Sequence, residues 1–195
     1  MEQIRVAALE ADMTKFVLVF AGGMGSGKSN LTKELSRRLN WPRASFGDHI
    51  RKLARDSSLD DTDRAVLQQL GQALVLTQPD KFVSDVIAEA GDAPSIILDG
   101  LRHVEILFSL RARKDLTLRL VYIKTPAEVR QSRVVERDDV DRRVVASYDA
   151  DITEAQISRI IPQYAHKTID GTLPIGILAS DIENFIEREI SIAAA

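Results

Sequence analysis

The chain has 195 residues, enough for one α/β domain with a full core and too few for two sizeable ones. Its formal net charge of −3 lacks the basic excess that holds nucleic acid non-specifically, and the absence of cysteine excludes disulfides and thiolate metal sites. No apolar stretch approaches the length of a membrane span, and residues 1–14 are interrupted by acidic side chains, unlike a signal peptide. The expectation is a soluble, cytoplasmic protein with one domain over residues 1–195, of which 1–14 form a flexible N-terminal segment.

The first predicted element is a strand at Phe16–Ala21, an unbroken apolar run. Directly after it stands Gly22-Gly23-Met24-Gly25-Ser26-Gly27-Lys28-Ser29, a complete G-x-x-x-x-G-K-S, followed by Asn30 and a helical segment with Leu31, Leu35 and Leu39 on one face. Strand, glycine-rich loop and helix in this order form a phosphate-binding loop. The glycines let successive N–H groups converge on one point, and the helix N-terminus adds positive potential there. Lys28 is placed to reach the β- and γ-phosphates of a nucleoside triphosphate, and the Ser29 hydroxyl to ligate Mg²⁺.

A short, weakly signalled strand follows around Arg43–Phe46, leading through Ser45-Phe46-Gly47-Asp48-His49-Ile50-Arg51 into a helix. Asp48 and Arg51 share a face as that helix begins, and an Arg so placed can fork onto a phosphate. A helix cap at Asp48 with a solvated Arg51 remains the alternative. Residues 61–91 read as two helices broken near Gln78-Pro79, with Leu67, Leu70 and Leu74 on the first and Phe82, Val86 and Ile87 on the second. Gln68, Gln69 and Gln72 read as the exposed face of the first.

Ser95–Leu98 is the next strand, ending in Asp99-Gly100-Leu101-Arg102. An acidic residue at the end of a strand beside a phosphate loop suits the carboxylate that supports Mg²⁺, the role given to Asp99, while Arg102 points across the cleft. Leu118–Ile123 is a third long strand; Lys167–Ile169 with Ile175–Leu178 supplies a fourth. Thr125-Pro126-Ala127-Glu128, Asp151-Ile152-Thr153-Glu154 and Ser180-Asp181-Ile182-Glu183 each read as a helix start. Arg130, Arg133 and Arg137 align on one face of the helix after Pro126, an arrangement that makes sense with an anion between them.

These motifs resemble the P-loop kinases of small phosphorylated metabolites, namely nucleoside monophosphate kinases and dephospho-CoA kinase. The resemblance runs from about Lys15 to about Glu189. It implies a three-layer α/β P-loop NTPase fold, with a parallel sheet of about five strands, helices on both faces and a short lid. Phe46-Gly47-Asp48-His49-Ile50-Arg51 occupies the place of the family's Thr-Gly-Asp-x-x-Arg, implying acceptor-phosphate binding by Arg51. Asp99-Gly100-Leu101-Arg102 is similar to the family's Asp-Gly-x-Pro-Arg, one residue shorter, which makes Arg102 a second acceptor ligand. Counting from Pro126, the family's adenine-stacking Arg falls on Arg133 and its phosphate-binding Arg on Arg137. The family's acceptor-reading Gln has no counterpart; Glu105 or His103 lies there.

The implied site divides into two halves. Gly22 to Asn30, with Arg133, hold MgATP, and Ser29 with Asp99 serves the metal. Asp48, Arg51, Arg102 and Glu105 hold a small phosphorylated acceptor, and Lys28, Asp48, Arg102, Arg133 and Arg137 carry the transfer. Residues 58–91 form an acceptor-side helical segment and 126–150 the lid. Transfer to a hydroxyl, with Asp48 as general base, is the same-fold alternative. A nucleotide-dependent switch with little turnover is the alternative of a different class. The chain is short for an AAA+ motor and shows no separate helical lid domain.

Overall fold

Strand β1 (Lys15–Ala21) alternates its side chains between two fully buried surfaces. Phe16, Leu18 and Phe20 face one apolar cluster, while Val17, Val19 and Ala21 face another. Burial on both faces is why the segment reads as a continuous apolar run, and it requires helices above and below. The computed structural model, which describes residues 14–138 and 152–193, supplies them.

The described elements are β1, α1 (Lys28–Leu39), β2 (Arg43–Ser45), α2 (Phe46–Asp56), α3 (Arg64–Thr77), α4 (Pro79–Ala88), β3 (Ser95–Leu101), α5 (Val104–Ala112), β4 (Leu116–Lys124), α6 (Ala127–Asp138), α7 (Ile152–Arg159), a 3₁₀ turn at Ile161–Tyr164, β5 (Lys167–Asp170) and α8 (Ile175–Ala193). The five strands lie in the order β2-β3-β1-β4-β5, and every pairing is parallel. Helix α1 inserts Leu31 and Leu35, and α8 inserts Ile182 and Ile186, on the Phe20 side. On the Val19 side Phe82, Val83 and Val86 of α4 join Leu107 and Leu110 of α5. Each such aliphatic side chain contributes about 1.5–3 kcal/mol by leaving water. The expected three-layer α/β fold with helices on both faces of a parallel five-stranded sheet is what forms.

Parallel strands end on one edge, so the segments after β1, β2, β3 and β4 all open toward the same place. The central strand β1 is flanked by β3 and β4, and the chain crosses from one side to the other there, which is where open α/β sheets bind ligands.

Two sequence expectations are corrected. Ile175–Leu178 is the first turn of α8 rather than a strand, and Ser180-Asp181-Ile182-Glu183 lies inside that helix rather than at its start. Pro174 opens the helix, its carbonyl accepting from the N–H groups of Ile177 and Leu178. Ser180 and Glu183 instead engage Arg38 of α1 at 3.3 and 3.4 Å. The break at Gln78-Pro79 stands as read. The segment expected over 1–14 and the lid expected over 126–150 fall partly outside the described residues.

Candidate active site

The loop Gly22–Gly27 turns from β1 into α1, and glycine is a backbone requirement there. Gly25 has φ 78°, and a Cβ on it would stand 2.3 Å from the Arg130 carbonyl oxygen. Gly27, the residue before α1, is also left-handed at φ 92° and provides no side-chain cap. The first N–H groups of α1 are therefore left facing the loop, where a phosphate is the natural acceptor. Ser29 and Asn30 are exposed on that first turn, and Met24 and Ser26 are buried in the loop.

Lys28 is almost fully buried and folds back over the loop. Its Nζ donates to the carbonyls of Gly22 at 2.5 Å and Gly23 at 2.9 Å, and to Ser26 Oγ at 3.3 Å. These oxygens hold the ammonium beside the cradle, and phosphate oxygens there would compete for it with full negative charge.

Asp99 lies within β3 rather than after it. Phe20 pairs with Asp99 and Ala21 with Leu101, so Gly100, at φ 87°, is an extra residue bulged from the ladder. The bulge carries pairing on to Leu101 and leaves the Asp99 carboxylate buried at 2% exposure. Oδ2 accepts from Arg43 Nη2 at 2.5 Å, while Oδ1 is buried with no hydrogen-bond partner among the described residues. A buried carboxylate oxygen of this kind has an unmet demand for a donor or cation. With the Ser29 hydroxyl on the neighbouring helix, it fits a Mg²⁺ carried on nucleotide phosphates.

Ser45 caps α2, accepting from Asp48 N–H at 3.2 Å. The cap is thus Ser45, and the Asp48 carboxylate is spent on charge instead: it accepts from Arg51 Nη1 at 3.1 Å and Arg43 Nη1 at 3.3 Å. Asp48 and Arg51 are each about half exposed. Arg102 is half-buried just beyond β3, and Glu105 is exposed on the first turn of α5. Gln68 and Gln69 are exposed on α3, whereas Gln72 is half-buried. At the start of α3, Arg64 Nη1 lies 2.8 Å from Met24 Sδ, so α3 reaches the phosphate loop.

Helix α6 supplies the remaining arginines. Arg130 lies flat against Gly23 and donates to the Met24 carbonyl at 3.0 Å. Arg133 donates to the Gly171 carbonyl at 2.9 Å, reaching the segment between β5 and α8. Arg137 is exposed one turn further on. That post-β5 segment is set by Asp170, whose Oδ1 accepts from Thr172 N–H at 2.9 Å and Thr172 Oγ1 at 2.8 Å. These bonds hold its carboxyl below the usual carboxylate range.

Arg43 is the residue the sequence pattern misses. It contacts Asp48, Thr32 and Asp99 at separations of 5, 11 and 56 residues, and no short motif spans these.

A glycine-cradled loop with a buried lysine, a half-paired carboxylate on the adjacent strand and arginines on α2 and α6 mark a P-loop kinase of small molecules. The chain belongs to the AAA domain family, whose model matches residues 18–157, from within β1 to α7. It is similar to the cytidylate kinase of Pyrobaculum calidifontis, 27% identical over 177 residues that cover 83% of this chain and 90% of that protein. Among solved structures, the shikimate kinase of Acinetobacter baumannii in complex with shikimate superposes with a TM-score of 0.62 at 16% identity, covering 93% of this chain and 98% of that one. A gluconokinase of Sinorhizobium meliloti superposes with a TM-score of 0.55 at 12% identity, over 92% and 94% of the two chains. At those identities the structures share the fold. The protein is an ATP-dependent kinase. No helix among the described residues is long and apolar enough to cross a membrane.

Proposed function

We propose that the protein transfers the γ-phosphoryl group of MgATP to the phosphate of a nucleoside monophosphate, with a cytidine nucleotide as the first candidate. The observation that carries this reading is the Asp48–Arg51 pair at the start of α2, a half-exposed guanidinium held by a carboxylate it can leave. An anionic acceptor exchanges one charge-assisted contact of Arg51 for another, so binding it costs little reorganisation. A neutral hydroxyl offers Arg51 no such exchange. The cytidylate kinase relatives, similar along nearly the whole chain, support a nucleotide acceptor.

In this reading Lys28 and the loop N–H groups hold the triphosphate, and Arg133 stacks on the donor base. Arg51 and Arg102 hold the acceptor phosphate, and Glu105 stands at its base end. Arg137 closes on the transferring group from α6. Ser29 and Asp99 would hold Mg²⁺, which would supply charge neutralisation on the phosphates. An acceptor phosphate is already ionised, so no general base is required and Asp48 serves to orient Arg51. Catalysis then rests on positioning and on arginines placed where charge develops.

The test is a panel of ribo- and deoxyribonucleoside monophosphates scored for acceptor-dependent ADP formation, with Arg51→Ala alongside. The expected result is one rapid acceptor, and loss of transfer in Arg51→Ala with ATP binding retained. No acceptor-dependent ADP from any member of the panel overturns the reading.

A further inference from the structure

Arg43 joins β3, α1 and α2 through one guanidinium. Nη2 donates to Asp99 Oδ2 on β3 at 2.5 Å, Nε donates to Thr32 Oγ1 on α1 at 3.0 Å, and Nη1 donates to Asp48 Oδ2 on α2 at 3.3 Å. Thr32 is fully buried, and its hydroxyl donates in turn to the Ser29 carbonyl at 3.1 Å. One unbroken network therefore runs from Ser29 through Thr32 and Arg43 to Asp99, linking both residues assigned to the metal.

We infer that Arg43 is a positioning residue that neutralises Asp99 and fixes which of its oxygens is free, so that the divalent cation enters with the nucleotide phosphates and not alone. The inference rests on the reading of Ser29 and Asp99 as the metal residues. Arginine stays protonated at any working pH, so the neutralisation is permanent. With Oδ2 held by Arg43, only Oδ1 is open to the metal's hydration shell. The fork geometry matters because a single planar group must meet a carboxylate and a hydroxyl at once, which an ammonium on a flexible stem does not do. Removing the guanidinium would leave a buried carboxylate without its counter-charge, and a divalent cation is the best available replacement.

Mn²⁺ binding to nucleotide-free protein, read from the free-ion electron paramagnetic resonance signal, tests this without any turnover. Wild type is expected to bind Mn²⁺ weakly, and Arg43→Gln about tenfold more tightly, the ratio expected for one charge-assisted contact. Asp99→Asn introduced into Arg43→Gln should abolish that gain, and Arg43→Lys, which keeps the charge but loses the fork, should fall between wild type and Arg43→Gln. If Arg43→Gln is unfolded in metal-free buffer, millimolar Mn²⁺ is expected to restore its circular dichroism. Unchanged Mn²⁺ affinity in folded Arg43→Gln, a gain that survives Asp99→Asn, or an unfolded Arg43→Gln that Mn²⁺ fails to restore each overturns the inference. The underlying assignment is tested separately: Asp99→Asn alone should weaken MnATP binding and leave metal-free ATP binding intact. No effect on MnATP would overturn the assignment of Asp99 itself.

Discussion

Arg130 lies across Gly23 and donates from Nη1 to the Met24 carbonyl at 3.0 Å, tying helix α6 to the phosphate loop. The same helix carries Arg133 and Arg137, so the donor loop and the arginines proposed to close over it share one mechanical connection. Arg130→Ala should weaken MgATP binding about tenfold, as expected for a lost hydrogen bond from a charged group. The melting temperature should change little, because the Arg130 side chain is only partly buried. Isothermal titration calorimetry against thermal unfolding separates the two, and unaltered MgATP affinity would dissociate Arg130 from the loop's function.

Gly25 and Gly91 make a matched pair of substitutions. Both are left-handed, at φ 78° and 68°, but a Cβ on Gly25 meets the Arg130 carbonyl at 2.3 Å while one on Gly91 meets nothing within 4 Å. Gly91→Ala should cost about 1–2 kcal/mol of stability from backbone strain and leave nucleotide affinity unchanged. Gly25→Ala should lose nucleotide binding as well, because either the loop or α6 must shift. Equal effects from the two variants would argue against the close approach.

The acceptor side separates phosphate from hydroxyl chemistry. Arg51→Ala should lower kcat/KM for the acceptor on the order of a hundredfold, the range seen when one donor to developing charge is removed, with ATP affinity retained. Asp48→Asn should be far milder, since it removes an orienting charge beside Arg51 and no proton acceptor. Steady-state kinetics with acceptor varied checks both, and a severe Asp48→Asn with a mild Arg51→Ala points to a hydroxyl acceptor.

His166 makes the β4–β5 edge sensitive to acid. The His166 Nδ1 accepts from the Leu120 N–H at 2.9 Å, a bond available only to the neutral ring, and the His166 backbone N–H donates to the Leu120 carbonyl at 2.8 Å. Partial burial, reinforced by Arg119 and Arg111, lowers its pKa from the ordinary 6.5. A base whose pKa is lowered on folding contributes stability that is complete above the unfolded value. That contribution declines as pH falls below about 6.5 and through the folded pKa. Urea denaturation should show this loss of stability across that window, and His166→Gln should flatten the slope there. An unchanged slope would remove His166 from the account.

Most of the donor half is legible in the sequence because its demands are local. A backbone that must turn through left-handed conformations and point N–H groups at one place needs glycines at fixed spacing, and the apolar run before it needs burial on both faces. The position of Asp99 is legible only to within a residue or two, since the Gly100 bulge that extends β3 comes from pairing with β1. Ile175–Leu178 misleads because a short apolar run has the same composition in a strand and in a helix. The structure shows Ile175 and Ile177 exposed and Leu178 buried, which follows helical packing against α1. Ser180 and Glu183 imitate a capping box yet serve Arg38 across the helix pair. Arg43 is invisible to pattern reading because its meaning lies in Thr32 and Asp99, which only the fold brings to it.

The central claim is transfer to a phosphate, and the product decides it most directly. ³¹P nuclear magnetic resonance of a mixture of the protein, MgATP and cytidine monophosphate should show the cytidine monophosphate phosphomonoester signal disappearing in step with ADP formation. ADP accumulating while that phosphomonoester signal persists, or a second phosphomonoester appearing beside it, would contradict the account.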